Sequence, residues 1–128
     1  MASMNQIEAI LATAFVTALL AVWAIITQRV VSRRVATLEY IARVESDRDL
    51  IEARNTFIDL TNDDGKLLKY ADPSKFTDPK AYHIRVVLNE REQMAVGIQF
   101  GVLDRSYITR FARGTILNDF KLSAPFIY

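Results

Sequence analysis

The stretch from Ala9 to Thr27, AILATAFVTALLAVWAIIT, decides the fold: nineteen residues without a charge, built from apolar side chains, alanines and three threonines. At ~1.5 Å per residue such a helix is roughly 28 Å long, the hydrocarbon thickness of a bilayer. A continuous helix satisfies all its own backbone groups, which lipid cannot do for it. Thr13, Thr17 and Thr27 are compatible with this, because a threonine hydroxyl can bond back to the carbonyl one turn earlier. The stretch therefore predicts a membrane span. A cleaved signal peptide is the first rival, but the leading MASMNQIE carries Glu8 and no Lys or Arg, and the apolar run exceeds the usual signal core. A buried core helix is the second, but the remaining chain is short for wrapping such a helix on every side.

The flanks give the span a direction. Arg29, Arg33 and Arg34 follow it, whereas nothing cationic except the amino terminus precedes it; Lys and Arg near a span are retained in the cytoplasm. The expected topology has a short outside N-terminus and the body of the protein inside, at the inner (cell) membrane. Trp23 lies about one turn from the basic end, where its ring either reaches the headgroup region or simply faces lipid. Ala9, Thr13, Thr17 and Ala21 recur at a four-residue step, which makes them a candidate packing face on which two helix backbones can approach. The bland alternative is a span that happens to be rich in small residues.

Composition bounds the rest. Of 128 residues, about a hundred lie outside the lipid, enough for one small domain. The 16 basic residues nearly balance the 15 acidic ones, which argues against bulk electrostatic binding of nucleic acid. With no cysteine there are no disulfides, thiolate metal sites or thiol nucleophiles, and the single histidine, His83, cannot form a multi-histidine site. No cofactor and no metal site are expected.

Beyond the span, Val31, Val35, Leu38, Ile41, Ala42 and Val44 keep a helical step to about Glu45. Ser46, Asp47 and Asp49 offer cap chemistry before a second apolar set, Leu50 to Leu60, so a break near Ser46 and an amphipathic helix to about Thr61 are expected. The TNDDG run, Thr61 to Gly65, is expected to stop that helix, with Gly65 free to adopt the left-handed conformation. Lys66 to Tyr70 reads as a further turn, and Asp72-Pro73 and Asp78-Pro79 as an irregular connector. A strong helix is expected from Pro79 to about Phe100, with Gly101 as its stop and Asp104 as the cap of a last helix carrying Tyr107, Ile108, Phe111, Ala112 and Phe120. Ser123-Ala-Pro125 reads as a turn that begins a new helix. The fold class is all-α, a single N-terminal transmembrane helix continuing into a small cytoplasmic domain of helix hairpins. Its expected segments are a tail over 1–6, the span over 7–28, a juxtamembrane helix over 29–46 and a helical domain over 47–128 with a connector at 62–78.

Within the domain, Leu88, Asn89, Glu92, Ala95, Gly97, Ile98, Gly101, Leu103 and Asp104 in LNEREQMAVGIQFGVLD, together with DLIEARNTFIDL at 49–60, resemble the bacterial and prophage family known as domain of unknown function 4760. The resemblance implies a membrane span followed by a small helical domain, with no established activity to transfer. It also implies, by analogy alone, a role such as superinfection exclusion or phage defence. Relatives usually continue into a further helix where this chain stops.

Asn89 and Glu92, one turn apart, are open to two readings. They could do acid–base work beside Gly101 and Asp104, or they could hydrogen-bond the open backbone groups of that turn. His83 reads as a surface or packing residue rather than a base. A helix-turn-helix outline with Arg105, Arg110 and Arg113 invites a nucleic-acid reading, opposed by the neutral charge and the tether. Gly97 inside a helix suggests a close helix contact. The leading expectation is an interaction module and not an enzyme, with membrane lipid, further copies of the chain or other membrane proteins as its partners. A defence factor is the alternative, and a tethered enzyme using Glu92 and Asp104 comes third.

Overall fold

The computed structural model describes residues 2–62 and 67–127. Among them are four α-helices, α1 (Ala2–Ser46), α2 (Arg48–Thr61), α3 (Pro79–Gln99) and α4 (Arg105–Ile127), with two short 3-10 turns at Leu67–Tyr70 and Pro73–Lys75 and no strand. The chain divides into two compact units, residues 1–33 and 34–128.

The first unit is the front of α1. One helix is long and apolar enough to cross a membrane, and its apolar window is entirely uncovered by the rest of the protein. Ile10, Phe15, Leu19 and Trp23 all stand exposed. The hydroxyls of Thr13, Thr17 and Thr27 donate to the carbonyls of Ala9, Thr13 and Trp23 at 2.8, 2.8 and 2.9 Å, so each polar side chain in the apolar run is satisfied inside the helix.

The second unit begins at Arg34, within α1, which ends at Ser46. The Asp47 carboxylate then accepts from the amides of Asp49 and Leu50 at 3.0 and 3.2 Å and starts α2, a cap that contributes about 1 kcal/mol. Leu50, Ala53, Phe57 and Leu60 fall on one stripe of α2 and are buried. Ala53, Phe57 and Leu60 meet Ile84 and Val87 of α3 and Leu67 of the first 3-10 turn, with Tyr70, Val86, Leu88 and Phe126 packed around them. The expected stop at Gly65 lies outside the described residues. The connector is built from two equivalent Asp-Pro starts. Asp72 accepts from the Ser74 amide and Asp78 from the Lys80 amide, each at 2.8 Å, and proline takes the first helical position in both. Hydrogen bonds from Ser74 hold the Asp72 carboxyl below the usual carboxylate range.

The α3–α4 turn is a Schellman ending. Gly101 has φ 68°, the Gly101 amide donates to the Ile98 carbonyl at 3.1 Å, and the Val102 amide donates to the Gly97 carbonyl at 2.9 Å. The chain then doubles back so tightly that a β-carbon on Gly97 would stand 2.8 Å from Cδ1 of Leu103. The neighbour that needs Gly97 bare is thus the residue after the turn, not another helix. Leu103, Met94 and Ile108 form a second core cluster with Tyr40, Ile41, Ile98 and Ile116. Gly101→Val places a β-branched side chain in the left-handed region, at a cost of about 1–2 kcal/mol. The full chain in detergent should then melt about 4–16 °C lower by circular dichroism, with Gly101→Asn losing less.

One expectation is corrected at the end of the chain. Ser123-Ala-Pro125 does not turn: α4 runs through it to Ile127. Ser123 is fully buried, and its hydroxyl donates to the Asp119 and Phe120 carbonyls at 2.7 and 3.3 Å, so it caps nothing. Proline forfeits one backbone bond in the last turn. Partial burial of Phe126 on the Leu67 and Phe57 cluster works against that loss.

Candidate functional site

The polar centre of the second unit is Glu90, in the middle of α3 and 6 % exposed. Each of the other three helices brings one side chain to it or to its neighbour Arg91. Tyr40 of α1 donates its hydroxyl to Oε1 of Glu90 at 2.7 Å. Arg54 of α2 places Nη2 3.6 Å from Oε2 of Glu90. Arg91 holds Nη1 3.0 Å from the same oxygen, and donates through Nε and Nη2 to Oδ2 of Asp119 on α4 at 3.1 and 2.9 Å. Two guanidinium groups thus face two carboxylates, and the cluster is neutral.

Burial, then the hydrogen bond to Glu90, pushes the Tyr40 phenol above the usual tyrosine range. Folding therefore favours the protonated donor. That contribution is complete below about pH 10, the unfolded value, and is lost as pH rises toward the folded one. Nε of Arg54 and Oε2 of Glu90 are buried without a hydrogen bond of good geometry. For Glu90 the attraction is an ion-pair contact without direction. Clefts of about 410 Å³ lie on either side, one against Tyr40, Tyr82 and Glu90, the other against Arg54, Arg91 and Asp119. A third, of about 550 Å³, is apolar and runs between α3 and α4 along Leu88, Ala95, Ile116 and Phe120.

This arrangement fixes helix positions. Removing one partner of a buried pair costs about 3–5 kcal/mol, although the intact pair adds little over a well-packed apolar substitute. Residues from four helices therefore share one geometry that each depends on.

The residues singled out from sequence fall elsewhere. Asn89 and Glu92 are both exposed and line the apolar cleft. They do not serve the Gly101 to Asp104 turn. Glu92 lies about 12 Å along α3 from Phe100, and the turn's amides are taken by the Gly97 and Ile98 carbonyls and by Thr37. Leu88 is half-buried against the first core cluster. Asp104 donates its amide to the Thr37 hydroxyl at 2.7 Å, accepts from the Tyr107 amide at 3.2 Å and faces Arg34 at 3.7 Å. Arg34 is two-thirds exposed, so that pair adds little to stability. His83 Nδ1 lies 3.0 Å from the Thr56 hydroxyl and ties α3 to α2. In the first unit, Ala9, Thr13, Thr17 and Ala21 line a shallow groove on the helix, and Trp23, Arg29 and Arg33 are exposed.

Glu90, Arg91, Arg54, Asp119, Tyr40 and Thr37 escaped the sequence reading. A signal existed: Arg54 sits between Leu50 and Phe57 on the apolar stripe of α2, and Glu90 between Val87 and Met94 on that of α3. Opposite charges at core positions of two packed helices mark a buried pair.

Neither a curated protein nor a solved structure matches this chain. The sequence profile of one family, described as Domain of unknown function (DUF4760), matches residues 11–128. From the span to the end of α4 the match is continuous, and the chain belongs to that family.

Proposed function

We propose that this chain is a single-pass inner-membrane protein, N-terminus outside, whose C-terminal helical unit is a cytoplasmic interaction module that acts as an oligomer or as a small subunit of a membrane complex. The observation that carries this reading is the apolar surface the unit leaves uncovered. Phe76, Tyr82, Phe100, Phe111, Leu117 and Phe120 are each more than half exposed, in a unit whose polar centre is neutral and turned inward. Where such side chains adjoin, as Phe120 does Leu88, Ala95 and Ile116 along the cleft between α3 and α4, the apolar surface is of the kind that other molecules cover. The basic flank at Arg29, Arg33 and Arg34 supports the cytoplasmic side for the unit. A binding role is favoured over catalysis because Glu92 stands in solvent while Asp104 is occupied as a cap and ion-pair partner. The partners are lipid together with a second copy or another membrane protein, and not nucleic acid.

Reporter fusions after Tyr128, combined with protease protection of sealed cells and spheroplasts, should place the C-terminus inside; an outside C-terminus contradicts the topology. Crosslinking in native membranes, followed by sizing in mild detergent, should give a species larger than one chain. A strict monomer that brings no other protein with it contradicts the interaction reading.

A further inference from the structure

We infer that the α3–α4 turn is a second lipid contact, in which Phe100 and Val102 enter the interface of the same bilayer that holds the span and the arginines that follow attract its anionic headgroups. This deepens the membrane-anchor reading and rests on it.

The turn carries its apolar residues in two opposite ways. Leu103 points inward, closing on Gly97 and the Met94 and Ile108 cluster. Phe100 and Val102, on either side of Gly101, point outward and are 75 and 55 % exposed. Phe100 is the most exposed large apolar side chain among the described residues. The ending is not loose: carbonyls of α3 and the Thr37 hydroxyl take its amides, so the two side chains are presented by a fixed loop.

Connectivity puts lipid within reach. The turn is fastened to the start of the second unit, through the Asp104 amide to Thr37 at 2.7 Å and the Asp104 carboxylate to Arg34 at 3.7 Å. Arg34 follows Thr27, the last residue of the apolar run, by seven positions. Even a fully extended chain limits that separation to about 25 Å. A tethered surface is met at high effective concentration, whereas a second copy must first arrive by diffusion. Charge also fits: Arg105, Arg110 and Arg113 on α4 are exposed, Tyr107 and Phe111 alternate with them in the sequence, and no ion pair among the described residues engages these three arginines. Aromatic and branched side chains flanked by arginine are the composition that anionic bilayer interfaces favour.

The absence of cysteine makes single-site labelling clean. Full-length Val102→Cys, Phe15→Cys and Lys75→Cys, each carrying an environment-sensitive fluorophore, are reconstituted into vesicles of equal parts phosphatidylcholine and phosphatidylglycerol, with and without a nitroxide on the acyl chains. Lys75 is exposed in the connector, and α4 packs its far end, Phe126, against the Leu67 cluster beside that connector. The label at Phe15 should be strongly quenched, and the label at 102 at least about threefold more than the label at 75. Adding Phe100→Asp should bring quenching at 102 down to the level at 75. Quenching at 15 with equal, weak quenching at 102 and 75 overturns this inference and leaves the anchor standing. A label at 102 that is shielded from water yet unquenched means that protein covers the turn, which also overturns it, as does indifference to Phe100→Asp. An unquenched label at 15 removes the anchor, and the inference with it.

Discussion

Arg91→Ala should lower the melting temperature of the C-terminal unit by at least about 12 °C, the shift that corresponds to a loss of about 3 kcal/mol in a domain of this size. Arg91 is 16 % exposed and bridges Glu90 and Asp119. Without it, Glu90 keeps the Tyr40 hydrogen bond on Oε1 but only the 3.6 Å contact to Arg54 as an ion pair, and Asp119 has no other ion pair among the described residues. A buried carboxylate, Glu90, and a largely covered one, Asp119, are then left short of compensation, which costs more than the lost attraction itself. Arg91→Lys retains the charge but not the two-pronged grip on Asp119, so it should fall between. Tyr40→Phe should cost less, about 1.5–3 kcal/mol, the range for a hydrogen bond to a charged group. Replacing Arg54, Glu90, Arg91 and Asp119 together by leucine or methionine should recover most of the stability lost in Arg91→Ala. Thermal unfolding followed by circular dichroism in detergent checks the series. A change of less than about 1 kcal/mol for Arg91→Ala would show that the cluster behaves as surface charge.

The second large effect is on insertion. Ala18→Arg with Leu19→Arg places two cations near the centre of the apolar run, each costing about 2.5–3.5 kcal/mol for insertion. The doubly substituted chain should leave the membrane fraction. The same two arginines introduced at Glu39 and Glu45, which are exposed in the second unit, should leave membrane retention unchanged. The comparison separates the position of the two arginines from their number. Equal retention of both variants would mean that the run is not in lipid.

What could be read from the chain alone follows from how local each determinant is. The span, the break at Asp47, the two Asp-Pro helix starts and the Gly101 stop each depend on a few adjacent residues whose backbone chemistry has one good outcome. The end of α4 shows the opposite case. Ser123-Ala-Pro125 has the local chemistry of a turn, but burial of Ser123 and docking of Phe126 on residues some sixty positions earlier decide the matter. The polar centre was hidden in the same way. Glu90 has the composition of a surface residue in a helix rich in charge, and only the arrival of Tyr40, Arg54 and Asp119 from three other helices makes it the hub. Asn89 and Glu92 stand out in the sequence because they lie one turn apart on a stretch that leads to Gly101 and Asp104, yet the rotation of one residue carries Asn89 into solvent and Glu90 inward.

The most direct test concerns the first unit. Membranes from cells producing the unaltered protein are washed with alkaline carbonate and floated on a density gradient, and the mass of the recovered chain is measured. The account predicts the intact chain, with its leading segment uncleaved, in the floating lipid layer. Recovery of the uncleaved chain in the carbonate supernatant, or of a chain lacking the segment up to Thr27, would contradict it.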